Sequence, residues 1–118
     1  MGKFTVAIMG DGDFTMNPAA LWTAAHYNIP ALIILHNNTS FGNDEEHQRK
    51  LAHERKRPEE NAWIGQKMID PDVDFAMVAR AYGAKAHGPI KKPTEIAPTL
   101  KKAVLEVIDG SVVLVDIR

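Results

Sequence analysis

Apolar residues along this chain fall into two kinds of run, continuous and periodic. Phe4–Met9 (FTVAIM), Ala31–Leu35 (ALIIL) and Val112–Ile117 (VVLVDI) are short continuous runs with many β-branched residues. Such runs mark strands buried on both faces. The first stops at Gly10-Asp11-Gly12, which reads as a glycine turn. Asn17-Pro18 then supplies a cap residue and a proline at the first helical position, and Ala19–Tyr27 reads as a helix closed by Asn28 and Pro30. Strand, helix and strand within residues 4–35 make a βαβ unit with a parallel pair.

The periodic runs follow a polar loop, His36–Gly42. Asn43-Asp44-Glu45-Glu46 reads as a helix start capped by Asn43, with Glu46 three residues on. Glu45/Arg49 and Glu46/Lys50 are favourable i,i+4 pairs, and the helix should run to about Lys56 and stop near Pro58. Glu59–Pro71 has no period and reads as an irregular excursion. Within Asp72–Gly83, the residues Phe75, Val78, Ala79 and Tyr82 share one helical face, and Gly83 suits the position after the helix end. Lys85–His87 is a weak short strand. Thr94–Ile108 is an amphipathic helix with Ile96, Leu100, Val104, Val107 and Ile108 on one face. The pattern predicts an α/β fold: an open, mostly parallel sheet with flanking helices.

Composition narrows the function classes. The chain has 118 residues, with 14 Lys+Arg against 15 Asp+Glu, a formal net charge of −1. That balance argues against a nucleic-acid binder, which carries a basic face. No cysteine is present, so disulfides, thiolate nucleophiles and Cys-based zinc sites are excluded. No apolar run approaches the ~18 residues of a membrane span, and Met1-Gly2-Lys3-Phe4 lacks the apolar core of a signal peptide. The expectation is one cytoplasmic domain, residues 1–118, with no membrane contact. The basic run Arg49, Lys50, Arg55, Lys56, Arg57 is interspersed with Glu45, Glu46 and Glu54 and reads as a solvated helix face; phosphate or RNA contact is its alternative. His26 and His53 read as helix-surface residues and His87 as a loop residue.

Chemistry concentrates at two strand ends. Ligands in open parallel sheets bind at the carboxyl ends of strands. Gly10-Asp11-Gly12-Asp13 and Asn37-Asn38-Thr39-Ser40-Phe41-Gly42 both fall there. If the strands are neighbours their ends lie about 5 Å apart, so Asp11 and Asn38 could share a ligand. Carboxylate, amide oxygen and backbone carbonyl are hard donors suited to Mg²⁺ or Ca²⁺, and Mg²⁺ commonly completes its shell with phosphate oxygens. Taken singly, G-D-G reads as a tight turn and Asn-Asn as a loop. Thr15 stands where a dinucleotide fingerprint has its third glycine, and the spacing is not that of an EF-hand.

In combination, G-D-G followed about 25 residues later by N-N resembles the signature of thiamine-diphosphate-dependent enzymes, in the module that binds the diphosphate. Ala20–Pro30 is similar to the matching helix of benzoylformate decarboxylases, and Asn37–Gly42 fits the family's N-N-x-x-aromatic-Gly. Trp63-Ile64-Gly65, Asp70–Ala76 and Gly88-Pro89-Ile90 resemble acetolactate-synthase-like members. The resemblance implies a three-layer, Rossmann-like fold. It also implies Mg²⁺ held by the side chains of Asp11 and Asn38 and the carbonyl of Ser40. Gly10, Asp11, Gly12, Asp13, Phe14, Asn38, Ser40, Phe41 and Gly42 would form the cofactor site, with Gly12, Asp13 and Phe14 facing the diphosphate through backbone N–H groups. Many members carry a small residue where this chain has Asp13, whose carboxylate must point away or bond elsewhere. Asn43 and Asp44 read either as helix caps or, with His47, as substrate-side residues; Asp44 and His47 are the candidates for proton transfer.

The implied activity is decarboxylation of a 2-oxo acid or its carboligation, with the chemistry carried by the cofactor. A glutamate from a separate pyrimidine-binding domain, an apolar wedge and a further strand and helix ahead of Phe4 are all expected of the family and not found in this chain. The expectation is therefore a module truncated at its N-terminus, inactive alone, working with a pyrimidine-binding domain on a missing part or another subunit, as a homo-oligomer. The alternatives are a non-catalytic interaction domain of the same fold and another phosphate- or nucleotide-binding module.

Overall fold

A computed structural model describes residues 4–118; the remainder of the Met1–Phe4 stretch lies outside them. The elements run β1 (Val6–Gly10), α1 (Asp11–Met16), α2 (Ala20–His26), β2 (Ala31–His36), α3 (Gly42–Glu54), α4 (Phe75–Ala81), β3 (Lys85–Ile90), α5 (Pro93–Ile108) and β4 (Val112–Ile117). The sheet order is β1-β2-β4-β3 and every pair is parallel. Register sets the site: Gly10 lies beside His36, and His36 beside Ile117. Three strand ends thus open on one rim of the sheet.

Alternation along the strands divides the core into two layers. Phe14, Leu21, Leu35, Phe75, Ala79 and Leu114 pack on one face, brought there by α1, α2 and α4. Leu32, Ala103, Val107, Val113 and Val115 pack on the other, beneath α5. The fold is the predicted three-layer α/β sandwich, and its described strands are all parallel. The second face is uncovered at β1, where Val6 and Ile8 are 48% and 76% exposed. Among the described residues no helix is long and apolar enough to cross a membrane.

Several boundaries differ from expectation. Gly10-Asp11-Gly12 is no simple turn: Asp11 opens the short helix α1, which Asn17 closes with its N–H donating to the Phe14 carbonyl. Asn17 and Pro18 therefore sit in a turn, and α2 begins after Ala19 with no side-chain cap. Asp74, whose carboxylate accepts from the Met77 N–H at 2.7 Å, caps α4 and holds its start back to Phe75. Lys85–His87 extends to Ile90, an edge strand that tolerates Gly88-Pro89. His87 accordingly lies in β3, where Nε2 bonds Glu106 of α5 at 2.7 Å, rather than in a loop. Ile108 is exposed, so the buried stripe of α5 ends at Val107.

Leu114 lies at the centre of β4 with no exposed surface. Replacing it with alanine should lower the free energy of unfolding by about 2–5 kcal/mol, read from urea denaturation followed by circular dichroism.

Candidate functional site

Asp11 sits where β1 passes into α1, directly over the sheet rim, and is 2% exposed. Its Oδ1 accepts from the Gly12 N–H at 3.0 Å, while Oδ2 is buried without a donor. A buried carboxylate oxygen normally has a partner, so this one is oriented toward something the polypeptide does not supply. Gly12 is buried beside it, and a Cβ there would come within 2.6 Å of the Phe41 ring. Glycine at this position lets the Phe41 ring lie against α1 and bring the second loop over Asp11. The Phe14 ring is buried in the core, edge-to-face with Phe75 at 5.7 Å, so only its backbone is available to a ligand.

The second loop leaves β2 at His36. Asn37 is buried and takes two bonds from the last strand: its N–H donates to the Ile117 carbonyl at 2.8 Å and its Nδ2 to Asp116 at 3.3 Å. Its Oδ1 accepts from the Thr39 N–H at 3.1 Å, and Asn38 Oδ1 accepts from the Ser40 N–H at 3.0 Å. Phe41 N–H donates to the Gln66 carbonyl and Met68 N–H to the Thr39 carbonyl, at 2.9 and 2.8 Å, around a Ser40–Lys67 bridge. In an antiparallel pair of this type the central residue's own N–H and carbonyl face away from the partner segment. The Ser40 carbonyl is thereby turned to the side on which its N–H meets Asn38. A Cβ on Gly42 would lie 2.6 Å from Asn38 Nδ2, so the bare glycine backs the amide.

Glu45 locks this loop to α3 and to the excursion. Ser40 Oγ donates to its Oε2 at 2.7 Å, Lys67 Nζ lies 3.0 Å from the same oxygen, and Arg49 lies 3.1 Å from Oε1. The Ser40 hydroxyl, followed by Lys67, holds the Glu45 carboxyl below the ordinary carboxylate range. The expected Glu45/Arg49 pair is present, and Arg49 and Lys50 also reach Glu46. The expected cap is different: α3 starts at Gly42 after Phe41, and Asn43 lies inside the first turn with no cap bond.

Gly10, Asp11, Gly12, Asp13, Asn38, Ser40, Phe41, Gly42, Asn43 and Asp44 line one open cleft of about 310 Å³. Phe14 lies beneath it, and His47 is exposed on α3 outside the lining. The Asp13 carboxylate turns back over Gly10 and remains at the cleft. The sequence reading missed His36, which lines the cleft, and Asp116, which is 1% exposed beneath it. An acid inside the apolar run VVLVDI was the available signal for Asp116. Burial pushes its carboxyl above the ordinary range, against the Asn37 bond, and Oδ1 has no donor.

The family described as thiamine pyrophosphate enzyme, C-terminal TPP binding domain, matches residues 1–117. The chain is 30% identical over 113 residues to an acetolactate synthase large subunit of Buchnera aphidicola, covering 96% of this chain and 18% of that protein. It is 32% identical over 81 residues to a benzoylformate decarboxylase of Pseudomonas aeruginosa, covering 69% of this chain and 14% of that one. A crystal structure of benzoylformate decarboxylase from Polynucleobacter necessarius superposes with a TM-score of 0.67 at 25% identity, over 98% of this chain and 19% of the other. The chain thus spans under a fifth of the length of these relatives.

The Glu45 hub makes the loop pH-sensitive in a defined direction. A carboxyl whose folded pKa is lowered contributes stability that is present above its unfolded value and is lost as pH falls through the folded one. Acidification below the usual carboxylate range should therefore lower the protection factors of the Phe41 and Met68 amides, each taken relative to unstructured chain at the same pH, before those of the β2 and β4 amides fall. Glu45→Ala should produce the same local loss at neutral pH. Unchanged exchange at both amides in that variant would show that the hub does not hold the loop.

Proposed function

The chain belongs to the C-terminal thiamine-pyrophosphate-binding domain family of thiamine pyrophosphate enzymes, and we propose that it holds thiamine diphosphate through a Mg²⁺ ion at the ends of β1 and β2. The observation that carries the metal is Asp11 Oδ2, a buried carboxylate oxygen without a donor beside the amide of Asn38 and the turned carbonyl of Ser40. These are three hard oxygen donors of different kinds on one cleft. Such a set fits Mg²⁺, whose remaining positions go to phosphate oxygens and water.

In this reading Asp11 supplies the anionic ligand, Asn38 Oδ1 the amide ligand and the Ser40 carbonyl the third. Their task is to anchor and orient the diphosphate. The N–H groups of the α1 first turn face it, although that of Gly12 already donates to Asp11. Phe41 and Gly42 keep the second loop close, one by packing on Gly12 and the other by backing Asn38. Asp44 lines the cleft and is the candidate to face the substrate, while His47 stands outside it. When bound, thiamine diphosphate supplies the carbanion chemistry by which a 2-oxo acid is decarboxylated or joined to a second carbonyl.

This module by itself should be inactive, because presenting the aminopyrimidine ring is the task of a separate pyrimidine-binding domain. The bare β1 face and the 13-residue α3, which buries none of its own side chains, support a pyrimidine-binding domain or a second subunit as partner. The radius of gyration is 16.5 Å, against about 13.5 Å for a compact domain of this length. Proteins named acetolactate synthase and benzoylformate decarboxylase among the relatives support an enzyme of 2-oxo acids.

Calorimetry tests the site directly. Thiamine diphosphate should bind with Mg²⁺ present and not after EDTA treatment, and Asp11→Ala should abolish binding while the circular dichroism spectrum is kept. Equal affinity in the variant would overturn the metal assignment. A wild-type chain that binds neither with nor without Mg²⁺ would leave the non-catalytic interaction domain as the better reading.

A further inference from the structure

We propose that Asp116 and Asn37 form the positioning pair of the metal-side loop, a role that rests on the cofactor reading above. Neither lines the cleft, and neither is one of the ligands named for it. Asp116 follows Leu114 on the same face of β4, so its carboxylate enters the layer occupied by α1 and α4 rather than solvent. A buried carboxylate with one oxygen lacking a donor is expensive there. An apolar residue at this position would avoid that cost, as Val113 and Val115 do on the opposite face.

The carboxylate determines the orientation of one amide. Asn37 is 5% exposed, so water offers its Nδ2 little alternative to Asp116 Oδ2 at 3.3 Å. With the NH₂ end committed to Asp116, the oxygen end is aimed at the Thr39 N–H, 3.1 Å away. Thr39 has φ of +55°, a left-handed conformation that a β-branched residue adopts only when its neighbours impose it. The Asn37 oxygen holds its N–H, and the Met68 N–H holds its carbonyl at 2.8 Å. That turn reverses the chain so that the Ser40 N–H meets Asn38 Oδ1, and two proposed ligands come to share one bond. The line of force runs from β4 through Asn37 and Thr39 to the Asn38–Ser40 pair.

Gly88 fixes the other side of Asp116. Its φ is +118°, and a Cβ there would lie 2.4 Å from the Asp116 carbonyl oxygen and 2.9 Å from its Cβ. The β3 backbone therefore presses on Asp116 and limits where the carboxylate can go. Arg118, which ion-pairs with Asp72 at 2.7 Å, anchors the chain just beyond.

The test exchanges the two partners. Mn²⁺ binding is followed by the electron paramagnetic resonance signal of the free ion with thiamine diphosphate present, and amide exchange at Thr39 is followed without metal. Asp116→Leu and Asn37→Asp should each weaken Mn²⁺ binding by about 10-fold, the low end of what removing a ligand's direct partner does, because both act on the ligands through Thr39, and should speed exchange at Thr39. Asp116→Asn keeps an acceptor for Asn37 and should stay close to wild type. Combining Asn37→Asp with Asp116→Asn reverses donor and acceptor and should recover both readouts lost in Asn37→Asp. Simple destabilisation would not be repaired by that second change. Should Asp116→Leu fail to fold, the comparison of Asn37→Asp with the double variant still decides. Wild-type affinity and exchange in Asn37→Asp, or no recovery in the double variant, would overturn the pair. If the wild-type chain binds no Mn²⁺ with the cofactor, the cofactor reading falls, and recovery of Thr39 exchange alone then upholds or overturns the pair.

Discussion

Asp11 Oδ2 is the atom around which this structure makes sense. A carboxylate oxygen buried without a donor carries a desolvation penalty that no hydrogen bond of its own offsets. The chain accepts that cost at the end of β1, where backbone direction places the side chain over the rim shared by β1, β2 and β4. Everything near it is arranged at close range: Gly12 bare beneath the Phe41 ring, Gly42 bare behind the Asn38 amide. Neither contact would survive a methyl group without movement of its neighbour. The glycines of G-D-G and of the second loop are thus packing requirements on a charged centre.

A second constraint is that the centre is assembled from segments far apart in sequence. The strand-end motifs bring residues 10–14 and 36–44 together through parallel pairing, which is local to the βαβ unit. Two further segments complete it. The excursion returns at Gln66–Met68 to pair with Thr39 and Phe41, and Lys67 joins Ser40 at Glu45. Beneath, β4 contributes Asp116 and the Ile117 carbonyl to Asn37. The loop that carries Asn38 and Ser40 is therefore held from both ends and from below, which suits a site whose donors must stay within tenths of an ångström of one geometry.

What was legible in the sequence follows the range of the interactions. Continuous apolar runs gave β1, β2 and β4, although burial on both faces holds for β4 and most of β2, while β1 leaves Val6 and Ile8 exposed on one face. The βαβ unit brought G-D-G and N-N to neighbouring strand ends and with them Asp11 and Asn38, while Ser40 and Gly42 came from the resemblance to thiamine-diphosphate-dependent enzymes. Local capping was less legible. Asn17 and Asn43 look like caps, yet Asn17 ends α1 through its N–H to the Phe14 carbonyl and Asn43 lies within the first turn of α3. The Ser40–Glu45–Lys67 hub was illegible, since Glu45 has an equally good partner in Arg49 within its own helix. Ile108 was placed inside by period, but the helix ends before its face returns to the sheet. Asp116 was hidden inside a run read for its apolar neighbours.

The same physical accounting explains why so small a piece can hold a complete-looking site. The donors proposed for the metal, and the contacts that orient them, all lie at one rim and on the face covered by α1, α2 and α4. That layer is well filled, with Phe14, Leu35, Phe75 and Leu114 buried under the cleft. The deficits lie elsewhere. The opposite face of β1 leaves Val6 and Ile8 bare, and α3 extends from the cleft mouth without burying a side chain of its own. An edge strand with an apolar outer face is a surface that a fold normally covers. The first turn of α3 holds the second loop through Gly42 and Glu45, while the bare β1 face takes no part in the proposed anchoring. Anchoring and reaction can be divided between separate parts of a protein, because the proposed metal and diphosphate would need only the oxygen donors gathered at this rim.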